Sequence, residues 1–306
     1  MKMHRRGFLG GIAAGLGGLV FRCDGQTIEP ELKPFDPYEK VQLGKTELKM
    51  TRVGLGTGMN GFNHASNHTR MGQEAFTKLV QGCLERGMNW FDSADLYGSH
   101  TFLRQALATV PRDKYLLVSK IWYQQRGLPT PANERGDADK IVERFLEELG
   151  TDHIDLVLLH CLTDANWNSI HEKQMKLLDD LKKKGVIRAH GVSCHSLEAF
   201  KTAAEEPWVD SIHERINPYG ASMDDTPENV VPVFQKAHDN GKGLVGMKIM
   251  GAGNFRDSDM KRNHSIEFAF NLPCLDVMTI GFEKLAEVDD FETRLSKAVR
   301  RSEVQV

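Results

Sequence analysis

The chain has 306 residues, 40% hydrophobic and 26% charged, with a formal net charge of -3. That supplies apolar material for one large core, and a barrel of eight strand–helix units typically needs about 250 residues. The near-neutral balance, with no basic stripe, excludes a nucleic-acid binder. The five cysteines are widely spaced, without a CxxC pair, which excludes a disulfide framework and a zinc cage.

Residues 1–30 read as an export signal and linker. Lys2, Arg5 and Arg6 precede an apolar, glycine-rich run from Gly7 to Phe21. A bilayer-spanning helix needs about 20 residues, and this run is shorter. It has the anatomy of a signal peptide. Arg5-Arg6 followed by Gly7-Phe8-Leu9 is similar to a twin-arginine signal, the address read by the machinery that exports folded proteins. The expectations are a twin-arginine export partner, a periplasmic location (cytoplasmic as the alternative), and no stable membrane span in the mature protein. Folding before export also suits the unpaired cysteines. Arg22, just before Cys23, argues against a lipid anchor.

Residues 31–306 read as one domain. Val41 to Val53 holds two short alternating runs around a Gly44-Lys45-Thr46 turn, a hairpin. Eight apolar strand candidates follow: Arg52–Gly56, Asn89–Ser93, Tyr115–Lys120, Ile154–His160, Ile187–Ser193, Val209–Asn217, Gly243–Lys248 and Val277–Gly281. Between them, Gln73–Glu85, Asp137–Leu149, Glu172–Lys184, Glu228–Asn240 and Leu285–Arg300 carry apolar residues at helical spacing. Lys182-Lys183-Lys184-Gly185 ends the third helix with cations at the negative end of its dipole and a glycine cap. Strands alternating with helices predict an α/β fold, a closed parallel (β/α)8 barrel with an N-terminal β-hairpin. The runner-up is an open doubly wound sheet, against which stands the absence of GxGxxG after the first strand.

Chemistry on such a barrel belongs at the C-terminal strand ends. Strand two ends in FDSADLYG, giving Asp92 and Tyr97. Strand three ends in Lys120 and strand four in His160. Singly, each has a plain reading: a helix cap, a solvated cation, a core histidine. Together they form a set in which a lysine cation would favour tyrosinate and lower the phenol's pKa from its usual value near 10. The aspartate would hold the lysine, and the histidine would orient a carbonyl oxygen for protonation.

The ordered set resembles the aldo-keto reductase family from about Val41 to about Asp290. It comprises KVQLGKTELKMTRVGLGTG, FDSADLYG, LLVSKIW, HIDLVLLH and LKKKGVIRAHGVS. The resemblance implies a (β/α)8 TIM barrel and a nicotinamide-dependent oxidoreductase acting on a small carbonyl or alcohol substrate. Tyr97 would be the proton donor, Lys120 its pKa-lowering partner, Asp92 the counter-ion and His160 the orienting residue. It further implies cofactor contacts at Gly56, Thr57, Ser193, Cys194, His213, Met247, Lys248, Gly251, Gly253, Gly281 and Glu283, with no metal.

Several of these positions depart from the family pattern. Ser193-Cys194 stands where Ser-Asn usually holds the carboxamide, and Cys194 lacks an amide. His213 replaces a glutamine. Met247-Lys248 replaces a Tyr-Ser stretch, Met247 offering a soft, polarisable contact. Gly251 and Gly253 would let backbone N–H groups approach a pyrophosphate. After strand eight, Glu283 and Glu287 replace basic and hydroxyl residues that bind the adenosine 2′-phosphate, so the cofactor, NADP or NAD, stays open. A short chain end predicts an open pocket, and Met59–Arg70 and Tyr123–Gly136 are candidate walls. His64 and His68 have no evident third ligand and read as a solvated loop; Asp95 reads as a loop residue at the pocket rim. A nicotinamide-binding sensor or partner protein with little turnover is the alternative function, and a sugar isomerase without nicotinamide a third.

Overall fold

The computed structural model describes residues 34–125 and 128–300. The export-type segment lies outside the described residues. Twelve strands are found among the latter. β1 (Lys40–Gln42) and β2 (Lys49–Thr51) form the antiparallel hairpin. β3 (Val53–Gly56), β4 (Trp90–Asp92) and β5 (Leu116–Trp122) enter the barrel, β6 (Gln124–Gln125) and β7 (Leu128–Pro129) make a second small hairpin, and β8 (Ile154–Leu162), β9 (Ile187–Cys194), β10 (Ser211–Arg215), β11 (Gly243–Met247) and β12 (Val277–Ile280) complete the circuit. The eight barrel strands are parallel, and β12 closes on β3 through pairs such as Thr279 with Gly54.

The helices are α1 (Asn67–Arg70), α2 (Gln73–Arg86), α3 (His100–Ala106), α4 (Ala138–Leu149), α5 (Trp167–Ile170), α6 (Glu172–Lys183), α7 (Leu197–Glu205), α8 (Pro227–Asp239), α9 (Asp259–Asn271) and α10 (Leu285–Leu295). α4 illustrates the outer ring. It buries Val142, Phe145 and Leu149 on one stripe and stops at Gly150, whose φ of 65° suits a residue without a Cβ. α6 stops as its sequence predicts, with Gly185 at φ 75°. α3, α7 and α9 were not among the predicted helices. α9 groups its apolar residues in its second half (Ile266, Phe268, Ala269, Phe270), so a stripe at helical spacing is hard to read.

Alternation along the strands sorts side chains into two cores. Val53, Leu55, Phe91, Leu117 and Ile121 face outward and pack with the helices. Trp90, Val118, Leu156, Leu158, Ala189, Val245 and Val277 face inward. Leu43, Leu48 and Met50 from the first hairpin join this inner cluster and close the barrel's N-terminal end. Trp90 donates its indole N–H to the Thr51 carbonyl at 2.9 Å. A Cβ at Gly54 would lie 2.1 Å from that indole, so only glycine lets the ring lie flat across the floor. With the lower end filled, the open end left to a ligand is the C-terminal one.

Candidate active site

β4 delivers Asp92 inward at its last residue. The chain then makes one 3-10 turn, Asp95–Tyr97, which brings Tyr97 back over the mouth. Gly98 closes that turn at φ 65°, and a Cβ there would lie 2.0 Å from the His64 carbonyl oxygen. Tyr97 lies against two other glycines: a Cβ at Gly58 would be 2.3 Å from its ring and one at Gly61 2.5 Å. Asp95 turns away and pairs with the Arg144 guanidinium at 3.0 and 2.8 Å, so its work is to hold this turn to α4.

Lys120, two residues on from Val118 and therefore also inward, has no exposed surface. Its ammonium pairs with the Asp92 carboxylate and donates to the Ser93 carbonyl at 2.9 Å. The same nitrogen stands 5.1 Å from the centroid of the Tyr97 ring, a cation over an aromatic face. His160 reaches the site from β8, its Nε2 3.4 Å from the Tyr97 hydroxyl and its ring edge-on at 5.6 Å. The four predicted side chains thus converge.

Two further residues join them. Thr279 on β12 donates its hydroxyl to the second Asp92 oxygen at 3.3 Å, and a Cβ at Gly56 would lie 2.7 Å from that hydroxyl oxygen. The Trp122 ring abuts His160 edge-on at 5.4 Å. Both carry a weak signal in the sequence: each stands two residues beyond an inward residue on its strand.

One electrostatic expectation is corrected. Burial first, then the Asp92 carboxylate, pushes the Tyr97 hydroxyl well above its usual value near 10. The lysine does not lower it, because the ammonium stands over the ring face and its charge is matched by Asp92. Burial, aided by the Lys120 charge, holds His160 well below 6.5. At neutral pH the pair is therefore a protonated phenol beside a neutral imidazole, whose Nδ1 has no partner among the described residues.

A cleft of about 240 Å³ opens beside this group, with Asp92 and Tyr97 on its wall. Gly56, Met247, Lys248, Gly253, Gly281 and Glu283 line it, as do Thr279 and Met59. Other predicted contacts lie elsewhere. Thr57 is buried and hydrogen-bonded to the Asp92 carbonyl and the Ser99 hydroxyl. Cys194 follows inward Ser193 on the strand, so it points outward into the helix-packed core and does not reach the cleft. Gly251 is packed under Phe255, 2.7 Å from where its Cβ would be. Ser193 and His213 pair in register on β9 and β10, fully buried and off the cleft wall, with their side-chain polar atoms unpartnered.

Of the candidate walls, Met59 lines the cleft and the remainder of its segment is anchored nearby. His68 is buried, not solvated, and its Nε2 lies 2.8 Å from the Phe282 carbonyl; no metal-binding group is found among the described residues.

The wall suits a nicotinamide dinucleotide. Met247 offers a polarisable apolar surface and Lys248 a cation. A Cβ at Gly281 or Gly253 would find its nearest atoms 3.6 and 3.9 Å away. Packing does not demand glycine there; bare backbone keeps the cleft floor open to close approach by a ligand.

Known proteins share this sequence and shape. The chain is 33% identical over 170 residues to the 6-dehydroglucose reductase of Agrobacterium fabrum, covering 47% of this chain and 54% of that protein. It is 28% identical over 148 residues to methylglyoxal reductase DkgB of Salmonella typhimurium, covering 47% and 51%. The chain spans about half the length of the curated relatives it matches. An aldo/keto reductase from Klebsiella pneumoniae, solved with NADP and acetate, superposes with a TM-score of 0.62 at 18% identity, over 85% of this chain and 91% of that one, a likeness of fold. Residues 52–287 match the Aldo/keto reductase family throughout, and the chain belongs to that family.

Proposed function

We propose that this chain is an NAD(P)-dependent oxidoreductase that reduces a carbonyl to an alcohol, or runs the reverse, with Tyr97 as the proton donor. The single observation that carries the reading is the meeting of Asp92, Tyr97, Lys120 and His160 on the rim of one cleft. A nicotinamide cofactor, NADP or NAD, supplies the hydride when bound. This chain's residues do the rest. His160, neutral, orients the carbonyl oxygen toward the phenol. Tyr97 holds the proton on its hydroxyl and releases it as negative charge grows on that oxygen. The Lys120 ammonium lies close enough to the ring to favour the phenolate left behind, and Asp92 and Thr279 keep that ammonium and carboxylate in place.

The family membership and the reductases among its relatives support a small carbonyl compound as substrate, sugar-like or an α-oxoaldehyde. Tyr97→Phe tests the mechanism: turnover with an aldehyde panel falls about 10²–10⁴-fold, the range for losing a general acid, while nucleotide affinity stays the same. A fully active Tyr97→Phe protein would sink it. We also propose export of the folded enzyme through its Arg5-Arg6 signal to the periplasm. Cell fractionation checks this: Arg5→Lys with Arg6→Lys retains the protein in the cytoplasm.

A further inference from the structure

The cleft is electrically two-sided. Its charged wall residues beyond Asp92 are Lys248, Arg256, Arg262, Glu283, Glu287 and Asp290. Arg262 and Asp290 are engaged with each other at 3.2 Å, and Asp290 also takes the Arg294 guanidinium at 2.7 Å. That leaves two cations and two anions. Lys248 and Arg256 lie on the segment after β11, and neither side chain makes a hydrogen bond or ion pair among the described residues. Lys248 is largely buried, and that burial together with nearby Arg215 lowers its pKa; a cation in that state gains from an anion brought beside it.

Glu283 and Glu287 lie on the facing segment, after β12. Glu283 accepts a hydrogen bond from the Asn67 amide at 2.7 Å, and Glu287 accepts one from the Glu283 backbone N–H at 2.7 Å. The backbone donor nearest that end of the cleft is thus already taken by a carboxylate. Neither acid makes an ion pair among the described residues. Each carboxylate keeps an oxygen available as an acceptor, and together they set a negative field at the end of the cleft away from Tyr97.

This inference rests on reading the cleft as a nicotinamide-dinucleotide site. A dinucleotide with its reactive ring at Tyr97 and extended along the cleft carries its pyrophosphate past the cationic segment and its adenosine ribose to the acidic one. We propose that this division of charge selects NADH over NADPH: Lys248 and Arg256 hold the pyrophosphate, while Glu283 and Glu287 accept hydrogen bonds from the ribose hydroxyls and repel a 2′-phosphate. A phosphate monoester brings about -1.5 to -2 charges at neutral pH, so two facing carboxylates oppose it strongly.

The test is a binding titration of the purified full chain with NADH and with NADPH, without any carbonyl compound, followed by calorimetry. NADH binds at least about tenfold more tightly, as like charges a few ångströms apart at a surface imply. In the double variant Glu283→Gln with Glu287→Gln, NADPH affinity rises to within about threefold of NADH, whose own affinity changes little. Lys248→Gln weakens both nucleotides by a similar factor, with an unchanged melting curve showing that it folds. NADPH binding as tightly as NADH, or a double variant that leaves the gap intact, overturns the charge assignment alone. Binding of neither nucleotide to the folded wild-type chain overturns the cleft reading and this inference with it.

Discussion

At the scale of single residues, the site depends on small groups placed so that large ones have room. Gly58→Ala would put a methyl 2.3 Å from the Tyr97 ring, forcing the phenol off its position above Lys120. Displacements of about 1 Å in a catalytic group cost about 10²-fold, so kcat falls by that order while nucleotide affinity holds. Asp92→Asn leaves the Lys120 ammonium buried without its counter-charge. Breaking a buried pair from one side costs about 3–5 kcal/mol, seen as a lower denaturant midpoint, and kcat falls with it. The pH profile follows from the directions found. Tyr97 stays protonated and His160 stays neutral through the physiological range, so kcat for reduction is flat between about pH 6 and 9, with no imidazole inflection near the usual 6.5. A break near 6.5 that disappears in His160→Gln would contradict this. Asp92, Tyr97, Lys120 and His160 were legible because each is a titratable group ending an apolar run, at the spacing of a known pattern. Thr279 was not, because a threonine on a strand usually serves β-sheet packing and nothing in the chain around it points to Asp92, 187 residues away.

At the scale of elements, the first hairpin is a stopper. Its leucines complete the inner core, so Leu48→Ala costs about 2–5 kcal/mol of stability by opening a cavity at the barrel floor. Since that floor is at the opposite end from the site, kcat at 25 °C stays near wild type; urea unfolding and steady-state kinetics on one preparation separate the two effects. The hairpin itself was readable from its turn, but its place in the barrel was not, since alternation says which residues share a face and not which element they meet. The same logic explains Cys194. Its position next to Ser193 suggested a shared task, yet a step of one residue on a strand moves a side chain to the opposite face.

At the scale of the whole molecule, acid stability follows from buried imidazoles. Burial holds His160 and His213 well below 6.5, His171 at about 4 and His195 at about 3. Below the ordinary imidazole value the unfolded chain binds protons that the folded one refuses, so their contribution is fully present above about pH 6.5 and is lost as pH falls through 6.5 toward 4 and 3. Melting temperature measured from pH 7 to pH 4 therefore declines before most carboxylates titrate. Unchanged melting over that span would show that these rings become protonated in the folded state. The alternation of strands and helices determined the barrel by itself, because the two periods and the C-terminal location of strand-end polar groups are local properties of the chain. So did the order of motifs that places the chain in its family. Only the tertiary structure decided which way Lys120 acts on Tyr97, which predicted contacts reach the cleft, and how its charges divide. Those outcomes depend on burial and on distances between strands far apart in sequence, and no local pattern encodes them.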